Sequence, residues 1–131
     1  MNKDFEKRDK IIQDNCLKID TEYLGGIRRF DCLSLSGLEQ LIENQFIDLE
    51  EQQNSAPTIR KLYEIGKKFA NLGYELKYSG YVVSIDRSDY RTSIDEINGD
   101  FDNISDNELL GIIDNLSYTA DEVLNDRIWW D

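Results

Sequence analysis

The spacing of hydrophobic residues changes repeatedly along this chain, and each change marks an element. In the first fifteen residues Phe5, Arg8, Ile11 and Ile12 share one side at helical intervals, which predicts a helix, although its caps are poor. Leu17, Ile19, Thr21 and Tyr23 then alternate with polar partners and predict a strand that ends at Gly25-Gly26. Leu33 and Leu35 begin a further extended piece. Ser36-Gly37-Leu38-Glu39 reads as a capping box, in which the serine hydroxyl and the glutamate carboxylate each satisfy an otherwise free backbone N–H. The short helix it starts runs to about Asn44 with Leu38, Leu41 and Ile42 on one face, and Phe46-Ile47 anchors its exit.

After the polar, turn-rich stretch Asp48 to Thr58, Ser55 is placed to cap a helix with Pro57 in its first turn, where the missing N–H costs nothing. Ile59, Leu62, Tyr63, Gly66, Phe69 and Ala70 form a continuous stripe as far as Leu72, and Gly73 stands where a left-handed cap belongs. Gly66 on that stripe predicts a close backbone approach by the sheet. Beyond Gly73 the period drops to two. Tyr74, Leu76 and Tyr78 alternate, Ser79-Gly80 is read as a tight turn, Tyr81, Val83 and Ile85 resume the alternation, and Tyr90, Thr92 and Ile94 make a third strand.

The connection Asp86-Arg87-Ser88-Asp89 would bring Asp86 near Arg91 and Arg87 near Asp89. Such pairs either neutralise a turn or hold acids in fixed directions for a partner. Past the acidic linker Asn98 to Ile104, Ser105 to Glu108 is a second capping box, leading Leu109, Leu110, Ile112, Ile113 and Leu116 into the core. Thr119 to Glu122 is a third, predicting a helix with Val123 and Leu124. Of the terminal pair Trp129 and Trp130, one is expected packed and the other exposed, serving as a clamp on the sheet or as an interface anchor.

Adjacent strands joined by tight turns, with helices between, predict an α+β fold. We expect a single domain over residues 1–131, with a small antiparallel sheet of about three to four strands and a meander over 74–97 carrying packed helices. The 40% hydrophobic content is that of a globular chain. Neither a leader nor an eighteen-residue apolar run is visible, so a cytoplasmic protein without membrane partners is expected. Cys16 and Cys32 are too few and too far apart for a disulfide framework.

Charge changes the picture most. The net charge is −12, and it is uneven: Met1 to Ile85 hold 14 acids and 12 bases, whereas Asp86 to Asp131 hold 13 acids and three bases. A field of that sign repels nucleic acid and attracts basic proteins. With no histidine in the chain, Ser-His and Cys-His nucleophile systems and His-bearing zinc sites are closed, and no glycine framework for a nucleotide cradle is present. No catalytic residues, cofactor or metal are therefore expected. A calcium loop from Asn98 lacks its glycine and, with Leu109 at its twelfth position, its bidentate glutamate. Glu75-Leu76-Lys77 matches half of a magnesium-dependent nuclease site, which leaves a nuclease as a remote alternative.

QNSAPT (Gln53 to Thr58), GYVVSIDRSDYR (Gly80 to Arg91), ADEV (Ala120 to Val123) and the closing WWD together resemble a family of small acidic bacterial immunity-type proteins, which neutralise toxins of polymorphic secretion systems. The resemblance implies a compact acidic domain whose job is to occupy another protein. Composition, taken independently, permits the same: a non-enzymatic inhibitor that blocks a basic toxin such as a nuclease. Asp86, Asp89, Asp95, Glu96, Asp100 and Asp102 would supply the field, Arg87 and Arg91 would fix its acids, and Trp129 or Trp130 would anchor the contact. A phage or plasmid mimic of DNA that disarms a host defence nuclease is the alternative.

Overall fold

In the computed structural model, which describes residues 1–131, the changing period resolves into four α-helices and six strands. α1 (Phe5–Asn15) does have a cap, because the Asp4 carboxylate accepts the Lys7 N–H at 3.2 Å, and it buries Arg8, Ile11 and Ile12 on the side expected to hold them. The next three caps are not the expected Ser36, Ser55 and Ser105 but residues two, three and one positions away. Ser34, Thr58 and Asp106 start α2 (Leu35–Glu43), α3 (Ile59–Asn71) and α4 (Asn107–Ser117), each taking a hydrogen bond from the backbone N–H three residues on. All three have the extended backbone that points a side-chain oxygen back into the first turn.

The strands β1 (Lys18–Ile19), β2 (Ile27–Leu33), β3 (Lys77–Val83), β4 (Thr92–Asn98), β5 (Glu122–Val123) and β6 (Arg127–Trp129) form one sheet in the order β1-β2-β3-β4-β6-β5. Every neighbouring pair is antiparallel. The α+β class stands, with six strands in place of three to four. Three local expectations are corrected. Ser79-Gly80 is no turn: it lies inside β3, at a shift of register against β4. Glycine is needed there because a Cβ would run into the Ser93 carbonyl oxygen of β4. The segment after Thr119 forms no helix, because Val123 and Leu124 pair back through a two-residue Asn125-Asp126 turn, closed by the Leu124 N–H donating to Arg127 O at 2.8 Å. Leu33 and Leu35, expected to begin an extended piece, instead close β2 and open α2, and β2 itself was not anticipated, since its arginines Arg28 and Arg29 are adjacent and Cys32 interrupts its alternation with a φ of +58°. It is joined to β1 through Gly25 and Gly26, whose φ values of +62° and +82° suit a tight hairpin turn.

Register decides which side chains enter the core. Phe30, Val82 and Ile94 share the inner face of β2, β3 and β4, and with Tyr78, Ile97, Ile128, Trp130 and the helix stripes they belong to one cluster of 24 buried residues. Burial of each large apolar side chain stabilises by about 1.5–3 kcal/mol. At Gly66 the expected backbone approach is replaced by a side chain, Tyr78 of β3: a Cβ on Gly66 would strike the tyrosine hydroxyl, which donates to Leu62 O of α3 at 2.8 Å. That one bond satisfies a buried phenol and sets the height of α3 above the sheet.

Arg8 is the exception among the buried residues. It has no exposed surface, yet its charge is matched on every side. Its Nε donates to Asp9 at 2.9 Å, Nη1 to Val83 O at 3.0 Å and Nη2 to Tyr23 Oη at 2.6 Å, while the guanidinium sits 4.8 Å from the centre of the Tyr90 ring. Asp9 in turn pairs with Arg28 at 3.0 Å.

Two substitutions test these contacts. Gly80→Ala is expected to lower stability by about 1–3 kcal/mol, read as a lower urea midpoint, because backbone rather than a side chain must move. Arg8→Met, which keeps the apolar stem, is expected to cost about 3 kcal/mol in the same assay by leaving the Val83 carbonyl and part of the Asp9 charge unpaired.

Candidate functional site

The connection from β3 to β4 folds back over the glycine turn. Arg87 is its centre. Nε and Nη2 grip the two oxygens of Asp89 at 2.8 and 2.7 Å, and Nη1 donates to Gly25 O at 3.1 Å. Arg91 approaches the same aspartate from the other side, with Nη1 at 3.0 Å from Asp89 Oδ2 and Nη2 donating to Tyr81 Oη at 3.1 Å. Held first by Arg87 and then by Arg91, the Asp89 carboxyl lies below the usual carboxylate range. The expected Arg87–Asp89 pair is present, whereas the expected Asp86–Arg91 pair is replaced: Arg91 turns to Asp89, and the Asp86 carboxylate is exposed without an ion pair. Two arginines on one acid leave this connection with little negative field.

The remaining sequence-derived acids divide by partner. Asp95 is chelated by Arg29 at 2.9 and 3.0 Å on the outer face, and Glu96 accepts from Asn98 Nδ2 at 2.9 Å. Asp100 accepts only from Asn103 Nδ2, at 2.7 Å, and Asp102 is exposed and unpaired. Trp130 is packed in the core, its indole N–H donating to Thr119 Oγ1 at 3.1 Å, so it presents no surface to a partner. Trp129 is half-buried and donates to Glu122 at 2.9 Å. Leu109, the twelfth residue of the incomplete calcium loop, faces the core.

Uncompensated charge gathers further along the chain. From Phe101 to Asp131 there are eight acids and one base, Arg127, and the only ion pair any of those acids makes is Glu108 with Lys68. The same segment carries four exposed large apolar side chains: Leu110 at 41%, Tyr118 at 81%, Val123 at 43% and Leu124 at 37%. On α4 the spacing of Leu110, Asp114 and Tyr118 puts them on one solvent-facing stripe. Leu110, expected in the core, is instead exposed: it stands about 100° around the helix from the buried Leu109, and Tyr118 lies on the far side.

Glu75 and Lys77 open a different feature. They line a cleft of about 400 Å³ at the start of β3 and the end of β4, together with the apolar Phe69, Phe101 and Ile104 and the acids Asp100 and Asp126. Lys77 Nζ lies 3.5 Å from Glu75 Oε1. No group of three or more Asp, Glu, Cys or His side chains is gathered closely enough to hold a metal ion. At the other end of β4, Glu51 accepts from Ser93 Oγ at 2.6 Å, and its second oxygen is buried without a partner. Burial pushes its carboxyl pKa up against the opposing pull of Ser93 and Arg91.

No helix is long and apolar enough to cross a membrane. No family model matches the chain, and no similar curated protein or solved structure is found.

The Asp89 clamp gives a pH test. A depressed folded pKa means that the group stabilises the fold above its ordinary range and loses that contribution as pH falls through the folded value. In Arg87→Ala the Asp89 carboxyl, followed by NMR titration, is expected to titrate at higher pH than in the parent protein.

Proposed function

We propose that this protein is a non-enzymatic inhibitor that binds a basic protein through its carboxyl-terminal third, in the manner of an immunity protein that occupies a toxin such as a nuclease. One observation carries the reading. Eight acids stand against a single arginine over Phe101 to Asp131, one ion pair neutralises any of them, and large apolar side chains are exposed among them. Charge alone would serve solubility, but solubility gives no reason to leave Tyr118 and Leu110 in water beside it. An apolar centre within a charged surround is the composition that protein interfaces favour. The motif resemblance to acidic immunity-type proteins points the same way.

The mechanism asks for no bond chemistry. Carboxylates stand where a toxin expects phosphates, drawing it in over distances comparable with the screening length, and apolar contact then slows its release. Of the acids expected from the sequence, Asp89, Asp95 and Glu96 are held within the fold, whereas Asp86, Asp100 and Asp102 make no ion pair and are joined by Asp114, Asp121 and Asp126.

The test is association with a basic nuclease domain, drawn from any toxin gene that a survey of the neighbouring genes turns up. Raising salt from about 0.05 M to about 0.5 M, which shortens the screening length roughly threefold, is expected to cut the association rate constant about tenfold or more. Tyr118→Ala is expected to raise the dissociation rate constant while leaving the association rate constant nearly unchanged. An association rate indifferent to salt would remove the electrostatic basis of the reading, and a purified, folded sample that cleaves nucleic acid by itself would overturn it.

A further inference from the structure

We propose that the cleft at the start of β3 and the end of β4 is a socket for one arginine side chain of the basic partner. The inference rests on the protein-binding reading above and adds the place where that partner is anchored.

The apolar and the charged residues of this cleft ask for different things. Phe69, Phe101 and Ile104 line about 400 Å³ with apolar surface. Gly99 packs closely on one of these residues, since a Cβ there would stand 3.1 Å from the Phe101 ring. Three acids, Glu75, Asp100 and Asp126, and one base, Lys77, line the cleft as well. Lys77 Nζ, 3.5 Å from Glu75 Oε1, leaves Glu75 matched, so the excess falls on Asp100 and Asp126. Asp100 has only the neutral Asn103 amide at 2.7 Å, and Asp126 makes no side-chain hydrogen bond or ion pair.

An anion is repelled by those acids, and a purely apolar group would cover two carboxylates without satisfying them. A metal ion lacks its third ligand. A long aliphatic stem ending in a cation meets both demands at once. The guanidinium suits it better than an ammonium, because its flat face can lie on the half-buried Tyr74 ring that also lines the cleft, while its five N–H donors serve more than one carboxylate. The source of that cation follows from position. Asp126 belongs to the β5–β6 turn, and Asp100 leads through Phe101 to Asn103 into α4, so the cleft opens beside the acidic segment that receives the partner.

Agmatine, a guanidinium on an alkyl stem, tests the socket without any protein partner. Amide NMR titration is expected to show saturable shifts confined to Gly99, Asp100, Phe101, Lys77 and Asp126, with a dissociation constant of about 1 mM. The double variant Asp100→Asn, Asp126→Asn, with an otherwise unchanged spectrum, is expected to weaken agmatine about tenfold and to speed dissociation of the protein partner. Absence of saturable shifts overturns the socket, as do shifts that persist at full strength in the double variant. Cadaverine binding as tightly as agmatine would overturn the assignment to arginine. Failure of the salt-dependent protein association would remove the wider reading on its own, because agmatine binding does not depend on it.

Discussion

A fully buried guanidinium holds the amino-terminal half of this fold in register. Arg8 cannot leave its charge unpaired out of water, so every group around it must arrive in place: Asp9 from its own helix, the Val83 carbonyl from the end of β3, Tyr23 from the approach to the glycine turn and the Tyr90 ring from the following connection. Apolar packing would tolerate a helix sliding by a residue along the sheet. Four directional partners do not, and Asp9 extends the constraint to Arg28 of β2. The outcome is that α1, β2 and the β3–β4 connection are fixed together, and the connection itself is then closed by Arg87 on Gly25 and Asp89.

This use of arginine explains the uneven charge. Arg8, Arg28, Arg29, Arg87 and Arg91 are all engaged in holding the sheet and its loops, and each has a named acid opposite it. The carboxyl-terminal third is held instead by apolar burial of Leu109, Leu116, Ile128 and Trp130 and by caps and turns that need no cation. Its acids are therefore free to act outward. A division between a cross-braced sheet and a charged outer helix and hairpin separates what makes the protein stable from what is available to another molecule.

Elements written in a local period were legible in the sequence. α3 and α4 follow from their apolar stripes, and the place of Arg8 on one side with Ile11 and Ile12 was visible from helical spacing, although not its full burial. Elements that exist because of a distant partner were not. β2 is a strand because β3 lies beside it, and β5 and β6 are strands because Glu96, Ile97 and Asn98 offer an edge, which overrides the capping-box pattern at Thr119. Ser79-Gly80 carries the composition of a turn, but the glycine answers a steric demand from Ser93 across the sheet, which one sequence cannot display. The acids show the same division: their number was plain, while the arginine that would claim each of them, 66 residues away for Asp95, depended on the fold.

Both margins of the sheet consist of strands only two residues long, β1 and β5. An open sheet is normally exposed to addition of a further strand from another copy, since a long free edge presents a row of unpaired backbone groups. Here each margin offers too short a row to template one, and Lys18 and Glu122 add charge to it. The chain should thus withstand crowding at high concentration without zipping into fibres, even though its sheet never closes into a barrel.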